Sequence, residues 1–562
     1  MGKLLNVLYL FYLKLIRLLN RIVRLYHTVK YLKAKQIFWR VINLTPRFIS
    51  EVNEFPPIIN EQLTYNFIPR NRITTDFELF TFLNETYSLK NVGWDDKSIS
   101  KLWRYNLHYF DYLLQIETID NQVDSQKKLI ENWIENNSFG QGTAWEPYPT
   151  SLRIINWIKW HSLCKGLSEK AKLSLWNQVR WLGNRPEYHL LGNHLFINAK
   201  ALLFGSAFFN LDSDTKYFKE AIDIIKNELK EQFLSDGAHF ELSPMYHSLA
   251  MEDLLDLISI SNKVPSNFPS KEILKKYHRG MSWLETMIYN NGELAHFNDC
   301  ANGIAPKYSD LEDYAIKLGI AKEKSRINNL YIHKESGFVV YKDVKSHLIA
   351  DFGKIGPDYL PGHAHADTLS FELAINGERI VVNSGTSVYG NSDDRLLQRG
   401  TGAHSTIQID MENSSEVWSD FRVARRAVPF NIQVNSSGES NNEINFQSSH
   451  NGYLRLKNKA IHTRKFNLTN DTWSIEDEIS GYSNTVVSRY YLHPEIEVRN
   501  NAIGIIFSKN HIDLIEFKYD RKLDLQLIDT FYHDQFGVNK ANKCIQVSGI
   551  SPCKMEVKFE IL

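Results

Sequence analysis

Four short segments of this 562-residue chain concentrate histidine, tyrosine, asparagine and carboxylate side chains. They are residues 188–194 (YHLLGNH), 241–247 (ELSPMYH), 362–367 (GHAHAD) and 402–406 (GAHST). If the third segment is a strand, His363, His365 and Asp367 project from one face, because side chains alternate along a strand. Two imidazoles one pleat apart suit either a metal site or a proton relay. Each segment on its own also fits an ordinary packed or hydrogen-bonded role.

The segments lie in two regions with different hydrophobic periods. Between about residues 46 and 329, apolar residues recur at helical spacing, as in 152–158, 195–203 and 254–258. Beyond 329 the patterns are typical of strands, as in 336–341, 369–375 and 379–382, with Asn376 and Gly377 forming a hairpin-turn signal. Helices followed by strands predict a helical toroid or solenoid over 46–329 and an antiparallel β-sandwich over 330–562. We expect the substrate in a cleft between them.

The sequence of residues 1–45 predicts a basic amphipathic helical segment. A short apolar run over residues 4–13 is followed by Lys14, Arg17, Arg21 and Arg24, whose spacing places them on one helix face. About ten apolar residues are too few to span a bilayer, and no small-residue cleavage site follows them. Such a helix either lies on an anionic membrane surface or docks its apolar face on the protein. We therefore expect the cytoplasm or the inner face of the inner membrane, with the periplasm as the alternative.

Composition narrows the classes of function. Lys+Arg and Asp+Glu are both 65, so the formal net charge is zero, which argues against a nucleic-acid partner. The 4 cysteines form no CxxC pattern and are too few for a disulfide scaffold. Aromatic residues make up 12% of the chain. They serve either as flat surfaces for sugars or as parts of large cores.

Taken in chain order, the motifs resemble one enzyme family. They are Asn193-His194, SPMYH at 243–247, GHAHADTLSF at 362–371, NSGT at 383–386 and HST at 404–406. This ordered set resembles the heparinase II/III and alginate-lyase-like polysaccharide lyases, from about Trp94 to the end. Residues 103–111 (WRYNLHYFD) and 145–149 (WEPYP) are similar to the version found in bacterial surface-polysaccharide gene clusters. The family's fold, an (α/α) toroid followed by an antiparallel β-sandwich, agrees with the helix-then-strand pattern.

The resemblance implies β-elimination at a uronic acid of an anionic polysaccharide, with no cofactor required. Loss of the C5 proton needs a stabilised enolate, so hydrogen-bond donors must face the C6 carboxylate. Asn193 and His194 match the family's carboxylate neutralisers. Tyr246 and His363 match the acid and the base, in either assignment. Tyr389 lies where some relatives place a further catalytic tyrosine.

The resemblance also implies a zinc site, at which this sequence departs from its relatives. The ligand positions correspond to His365, residue 383 and His404, and residue 383 is Asn. A neutral amide oxygen is a poorer zinc ligand than a carboxylate, so we expect weak binding of any structural zinc. The alternative is a hydrogen-bonded cluster of His365, Asn383 and His404 that stiffens the sandwich beside the cleft.

Trp145, Arg153, Arg395 and Arg399 are the predicted contacts to the polymer. A guanidinium fork matches a carboxylate or sulfate, and an indole ring offers a flat surface to a sugar. The zero net charge favours a moderately anionic polymer over a densely sulfated one.

Three functions remain after these observations. The first is a polysaccharide lyase acting on a uronate-containing capsule, O-antigen or exopolysaccharide. The second is a glycoside hydrolase on the same scaffold, because a fold does not determine its chemistry; two carboxylates would come from Glu146, Glu187, Glu241 and Asp299. The third is a non-catalytic glycan-binding or assembly protein at the membrane. The sequence leaves the sugar, the linkage and the oligomeric state undetermined.

Overall fold

A computed structural model gives the fold of the chain. It describes residues 2–45, 47–70, 73–74, 77–115, 122–322, 329–436, 443–457, 459–469, 471–501 and 504–562. The predicted start of the toroid at residue 46 lies outside the described residues. Two N-terminal helices, α1 (Gly2–Val29) and α2 (Ala34–Ile42), precede the main body. Among the described helices, none combines the length and the apolar character that crossing a membrane requires.

The helical domain alternates buried and half-exposed helices. Its helices are α3 (Leu89–Val92), α4 (Lys101–Tyr109), α5 (Val123–Asn136), α6 (Pro147–Cys164), α7 (Glu169–Gly183), α8 (Gly192–Phe208), α9 (Lys216–Gln232), α10 (Pro244–Ile260), α11 (Ser270–Thr286) and α12 (Tyr308–Lys317). Helix α8 is buried throughout residues 195–208, as expected of a helix that is apolar on every side. Helix α9 instead exposes Lys219, Asp223 and Lys230. This alternation of inner and outer helices is the pattern of an (α/α) toroid.

A short hairpin in the helical region was not predicted. Strands β1 (Leu79–Phe82) and β2 (Glu85–Ser88) are joined by Leu83 and Asn84, both with left-handed backbones (φ 56° and 62°). Its Phe82 ring lies 5.2 Å from Trp103 on α4. In β1, Leu79 and Thr81 are exposed while Phe80 and Phe82 are buried, but a four-residue alternation is the shortest pattern that indicates a strand.

The aromatic surplus mostly fills the core of the toroid. Trp103, Trp133, Trp157 and Trp160 are all buried there. Trp145, a predicted polymer contact, lies in the same core at 5% exposure and packs on Trp133. For these indoles, the core interpretation of the composition is the correct one, and Trp145 is a packing residue rather than an exposed platform.

The second domain consists of a large antiparallel sheet folded over on itself and a separate two-stranded antiparallel sheet. Its strands are β3 (Leu330–Ile332), β4 (Phe338–Lys342), β5 (Ser346–Asp351), β6 (Phe371–Ile375), β7 (Glu378–Val382), β8 (Ile407–Ile409), β9 (Val417–Trp418), β10 (Arg422–Val423), β11 (Pro429–Ser436), β12 (Ile444–His450), β13 (Ile461–Leu468), β14 (Thr472–Leu492), β15 (Glu497–Asn500), β16 (Ile505–Lys509), β17 (Ile512–Tyr519), β18 (Asp524–Tyr532) and β19 (Lys540–Ile561), with helix α13 (Asp393–Arg399) inserted after β7. The order β6-β7-β14-β13 separates β6 from β13, yet Phe371 and Phe466 on these strands lie 5.6 Å apart. The two layers therefore face each other across one core, which confirms the predicted toroid-then-sandwich architecture.

The two local predictions around β6 had opposite outcomes. The turn at Asn376 and Gly377 joins β6 to β7 with φ 53° and 82°, as the hairpin signal predicts. The prediction that residues 362–367 form a strand is wrong, because the segment is irregular. Its carbonyl groups accept hydrogen bonds from side chains instead of from a neighbouring strand: Ala364 from Arg399 and Ala366 from Thr401. Its histidines therefore do not share one strand face.

A buried charged group links the strands of the sandwich. Asp477 on β14 accepts hydrogen bonds from Arg464 on β13 at 2.7 and 2.8 Å, and lies 2.7 Å from Nε2 of His462. All three side chains are fully buried. Removing one partner from such a group leaves an unpaired buried charge.

Replacement of Asp477 by alanine should therefore lower the free energy of unfolding by about 3–5 kcal/mol, the range for breaking a buried ion pair. Denaturant unfolding followed by circular dichroism measures it. The matched control is Asp529→Ala, which removes an 87% exposed carboxylate paired with Lys543 and should change stability little. Equal effects of the two variants would contradict this interpretation.

Candidate active site

The five predicted catalytic residues come from four elements that meet between the two domains. Asn193 and His194 lie in the first turn of α8, Tyr246 in the first turn of α10, His363 in the loop before β6 and Tyr389 in the loop after β7. All five are partly exposed. The rings of Tyr246 and His363 stack with centroids 3.8 Å apart, and the hydroxyls of Tyr246 and Tyr389 are 3.0 Å apart.

The start of α8 is shaped by two left-handed residues. Leu191 and Gly192 have φ of 67° and 59°, and a Cβ on Gly192 would overlap the Leu360 side chain. The same Cβ would lie 3.6 Å from Oε1 of Glu241, so this helix end closely approaches the carboxylate that pairs with His363. The first N–H groups of a helix lack intrahelical partners and attract anions. Together with the amide of Asn193, they form a site rich in hydrogen-bond donors.

His194 is paired with a buried carboxylate. Its Nδ1 lies 3.1 Å from Oε2 of Glu187, and Asn198 holds the same carboxylate oxygen at 3.2 Å. Burial alone would lower the pKa of His194, but the Glu187 carboxylate outweighs it and raises that pKa above its usual value. The ring therefore retains a positive charge to a higher pH than an isolated histidine.

His363 is paired with a second carboxylate. Its Nδ1 lies 2.8 Å from Oε2 of Glu241, whose side chain is 2% exposed. Burial opposes ionisation of Glu241, yet the His363 ring lowers the pKa of that carboxyl below its usual value. The carboxylate fixes the orientation of the ring, so Nε2 is the nitrogen left for chemistry.

Tyr246 is positioned by the cap of α10. The Ser243 hydroxyl accepts a hydrogen bond from the Tyr246 N–H at 3.3 Å, and Pro244 begins the helix. Burial, followed by the Asp299 carboxylate, raises the pKa of Tyr246 well above its usual value, although the Tyr389 hydroxyl works in the opposite direction. The phenol is thus protonated in the free protein. Cationic neighbours that would stabilise a phenolate do not dominate its surroundings.

The buried residue Asp299 connects the elements that carry the predicted catalytic residues. Its carboxylate accepts hydrogen bonds from both Nη atoms of Arg395, one at 2.7 Å, and lies 2.9 Å from Nε2 of His365. Its N–H donates to the His363 carbonyl at 2.9 Å, and its carbonyl accepts from the Ser243 hydroxyl at 2.6 Å. Burial disfavours the charge, but Arg395 and His365 hold the pKa of Asp299 well below its usual range.

The three arginines predicted to bind the polymer are buried and already bonded within the protein. Arg395 pairs with Asp299, and Arg399 donates to the carbonyls of Ala364 and Asp420 at 2.9 and 2.7 Å. Arg153 lies in the toroid core and donates to Gln178 at 2.9 Å. Their exposure is 0%, so in this structure they support the site instead of facing a polymer. Residue type alone does not distinguish a free guanidinium from a bonded one.

An aromatic wall that the sequence did not predict continues from the predicted catalytic residues. Its half-buried rings are Tyr105, Tyr109 and Tyr148. Tyr148 lies 4.5 Å from the His194 ring and 6.0 Å from Tyr109, which is 6.3 Å from Tyr105. The signal for two of them was the four-residue spacing of Tyr105 and Tyr109, which puts both on one face of α4. Partly exposed rings in a row suit stacking on successive sugars.

The residues of the implied zinc site form a compact cluster that does not fit tight zinc binding. Nδ1 of His404 lies 3.2 Å from Oδ1 of Asn383, and the rings of His365 and His404 are 5.2 Å apart. Within the described structure, Nδ1 of His365 and Nε2 of His404 are buried without a hydrogen-bond partner, and burial lowers the pKa of His365 to about 4. Two neutral imidazoles are thus available, but the third position is an uncharged amide. Among the described residues, no group of three His, Cys, Asp or Glu is arranged to hold a metal.

Protein purified without added metal should accordingly contain well under one zinc per chain, as measured by mass spectrometry of the metal content. Asn383→Asp should raise that content, because it supplies the missing negative charge. The control is the double variant that combines Asn383→Asp with His404→Ala, which should abolish the gain. One full zinc per chain in the unmodified protein would contradict the argument.

Comparison with known proteins gives matches to two parts of one family. The family description "Heparinase II/III N-terminus" matches residues 58–315, and "Heparinase II/III-like, C-terminal" matches residues 333–559. A heparin-sulfate lyase of Bacteroides stercoris is 25% identical over 355 residues, covering 57% of this chain and 48% of the relative. One of Bacteroides thetaiotaomicron is 23% identical over 389 residues, covering 58% and 55%. The chain thus matches about half the length of these relatives.

Solved structures share the fold. The crystal structure of heparinase III superimposes with a TM-score of 0.70 at 17% identity, covering 94% of this chain and 88% of the other. A heparan sulfate lyase from Pedobacter heparinus gives 0.57 at 16% identity, covering 86% and 81%. The two family matches together account for most of the sequence and include every element that contributes to the cleft. The chain therefore belongs to the heparinase II/III family.

Proposed function

We propose that this protein is a polysaccharide lyase that cleaves a uronate-containing glycan by β-elimination. The observation that carries the proposal is the stacked pair of Tyr246 and His363, beside the donor-rich start of α8. The matched relatives bear the name heparin-sulfate lyase, and membership of their family supports the same class of reaction here.

In the proposed reaction, Asn193, cationic His194 and the free N–H groups of α8 bind the C6 carboxylate. They stabilise the enolate that forms when the C5 proton leaves. Formation of this enolate is the step with the largest barrier in such a reaction. The raised pKa of His194 supports this role, because a charged donor stabilises an oxyanion more strongly than a neutral one.

Nε2 of His363 takes the C5 proton, and the phenol of Tyr246 gives its proton to the glycosidic oxygen at C4. The C5–H electron pair becomes the C4–C5 double bond as the C4–O bond breaks. Glu241 orients the base through Nδ1, and the raised pKa of Tyr246 keeps the acid protonated until the transfer. Since the two rings stack, they approach the sugar from one side. This geometry favours a uronate whose C5 hydrogen and C4 oxygen lie on the same side.

The hydrolase alternative is less well supported by the electrostatics. A glycosidase needs one carboxylic acid that stays protonated near neutral pH. Glu187, Glu241 and Asp299 have lowered pKa values and are bonded to histidine or arginine. Glu146, the remaining candidate, forms a 2.8 Å ion pair with Lys101 and accepts a hydrogen bond from Tyr105.

For the polymer, we propose a bacterial capsule, O-antigen or exopolysaccharide of moderate charge. Tyr105, Tyr109 and Tyr148 of the aromatic wall come from segments 103–111 and 145–149, the ones that resemble family members of surface-polysaccharide gene clusters. The buried state of Arg395 and Arg399 is also more compatible with a sparsely charged chain than with a densely sulfated one.

Tyr246→Phe should keep the fold and glycan binding but lower turnover by ~10²–10⁴, the usual effect of losing one positioned proton-transfer group. Asn193→Ala should give a comparable loss by removing stabilisation of the enolate. Turnover is measured by the ultraviolet absorbance of the unsaturated product on a uronate polymer that the wild type cleaves. The melting temperature controls for folding, and near-full activity of Tyr246→Phe would refute the proposed acid.

The dependence of kcat/KM on pH should reflect the charge that His194 carries beside Glu187. Because the pKa of His194 is raised, the binding charge is present below that pKa and disappears as the pH rises through it. Glu187→Gln removes the interaction that raises the pKa, so the alkaline limb of kcat/KM should move to lower pH. Glu335→Gln, at an exposed carboxylate between β3 and β4, is the control and should leave the limb in place. An unchanged limb in Glu187→Gln would exclude His194 as the charged group.

A further inference from the structure

Helix α1 presents an unpartnered apolar stripe to solvent. The exposed apolar side chains of its described part include Phe11 (67%), Leu18 (55%), Ile22 (54%) and Tyr26 (65%), at spacings of seven, four and four residues. These spacings place them on one face of the helix. The body therefore leaves these described side chains uncovered.

The body holds α1 by a different face. Near the end of the helix, the Thr28 hydroxyl donates to the Val423 carbonyl at 3.3 Å and accepts from Nε1 of Trp418 at 3.1 Å. Four residues earlier, Arg24 lies 3.7 Å from Glu416. A surface helix normally turns its polar side outward and its apolar side to the core. Helix α1 is anchored in the reverse orientation.

The charge around the stripe has a single sign. The first 50 residues contain ten Lys and Arg and no Asp or Glu, although the whole chain has 65 of each kind. In α1 the cations Lys14, Arg17 and Arg21 lie on the flank of the stripe and are exposed. Helix α2 adds further exposed apolar groups at Phe38 (58%) and Val41 (59%).

We propose that α1 lies flat on an anionic phospholipid bilayer, with its apolar stripe at the boundary between headgroups and acyl chains. A basic flank beside a broad apolar face is the pattern of helices that bind such surfaces, and each Lys or Arg near the surface adds attraction to anionic lipid. A second copy of the chain is a poorer occupant of the stripe. It would bring two like-charged flanks together, whereas anionic headgroups neutralise them.

This placement sets the cleft beside the membrane. The anchor of α1 is the hairpin of β9 and β10, and the loop of that hairpin carries Phe421. The Phe421 ring lies 6.1 Å from His363 and 5.4 Å from Tyr389. The docked end of α1 is therefore next to the mouth of the cleft, so a glycan would enter close to the lipid surface. The membrane contact itself does not depend on the proposed lyase reaction.

Vesicle flotation of the full chain tests the proposal directly. The protein should float with phosphatidylcholine vesicles that contain phosphatidylglycerol, remain unbound with phosphatidylcholine alone, and be released by high salt. Leu18→Glu combined with Ile22→Glu should lower the bound fraction at least about tenfold, because two apolar side chains that insert into the bilayer are lost. Arg17→Glu combined with Arg21→Glu should have a similar effect through charge.

The control carries the same two added charges elsewhere. Val344→Glu combined with Ile512→Glu alters two exposed sandwich residues (98% and 65%) and should float like the wild type. Melting temperatures should match in all variants, since the substituted side chains are exposed. Failure of the wild type to bind anionic vesicles at low salt would overturn the proposal. So would a dimer in light scattering that Leu18→Glu and Ile22→Glu dissociate, which would identify the stripe as an interface between copies.

Discussion

The buried ion pair of Asp299 and Arg395 is the interaction on which the site depends. Asp299 reaches His365 and Arg395 with its side chain, and His363 and Ser243 with its backbone. It thereby fixes the sandwich loop that carries the proposed base against the cap of the helix that carries the proposed acid. A charge pair without solvent access is costly unless every partner is present. The two domains must therefore pack in one relative position. That position brings the rings of Tyr246 and His363 to a centroid distance of 3.8 Å.

The side chains of the cleft differ in their proposed roles because their neighbours differ. Each histidine of the cleft has its own carboxylate, His194 with Glu187 and His363 with Glu241, so both carboxylates serve to hold a ring in place. Burial and the nearby carboxylates favour the neutral phenol of Tyr246. The cleft thus brings together the proposed charged donor, the proposed base and the proposed acid, which are the three groups that elimination next to a carboxylate requires.

Helix and strand periodicity predicted the architecture, and the resemblance to a known family implied the groups that meet in the cleft. Prediction from the sequence failed where the answer depends on a partner distant in the chain. Arg395 and Arg399 have the right functional group for a polymer, but Asp299 and the loop carbonyls use it first. The 362–367 segment alternates like a strand, yet the carbonyls of Ala364 and Ala366 accept hydrogen bonds from side chains rather than from a neighbouring strand. Tyr148 lies in the motif at 145–149, but only tertiary contact brings it to His194.

The central claim is that the chain breaks a glycosidic bond by elimination at a uronate. Mass spectrometry of the fragments from a uronate polymer tests this most directly, because elimination adds no water across the broken bond. The account predicts that every new non-reducing end is an unsaturated uronate, lighter by one water than the corresponding saturated end. New non-reducing ends that are all saturated would show hydrolysis and would contradict the account.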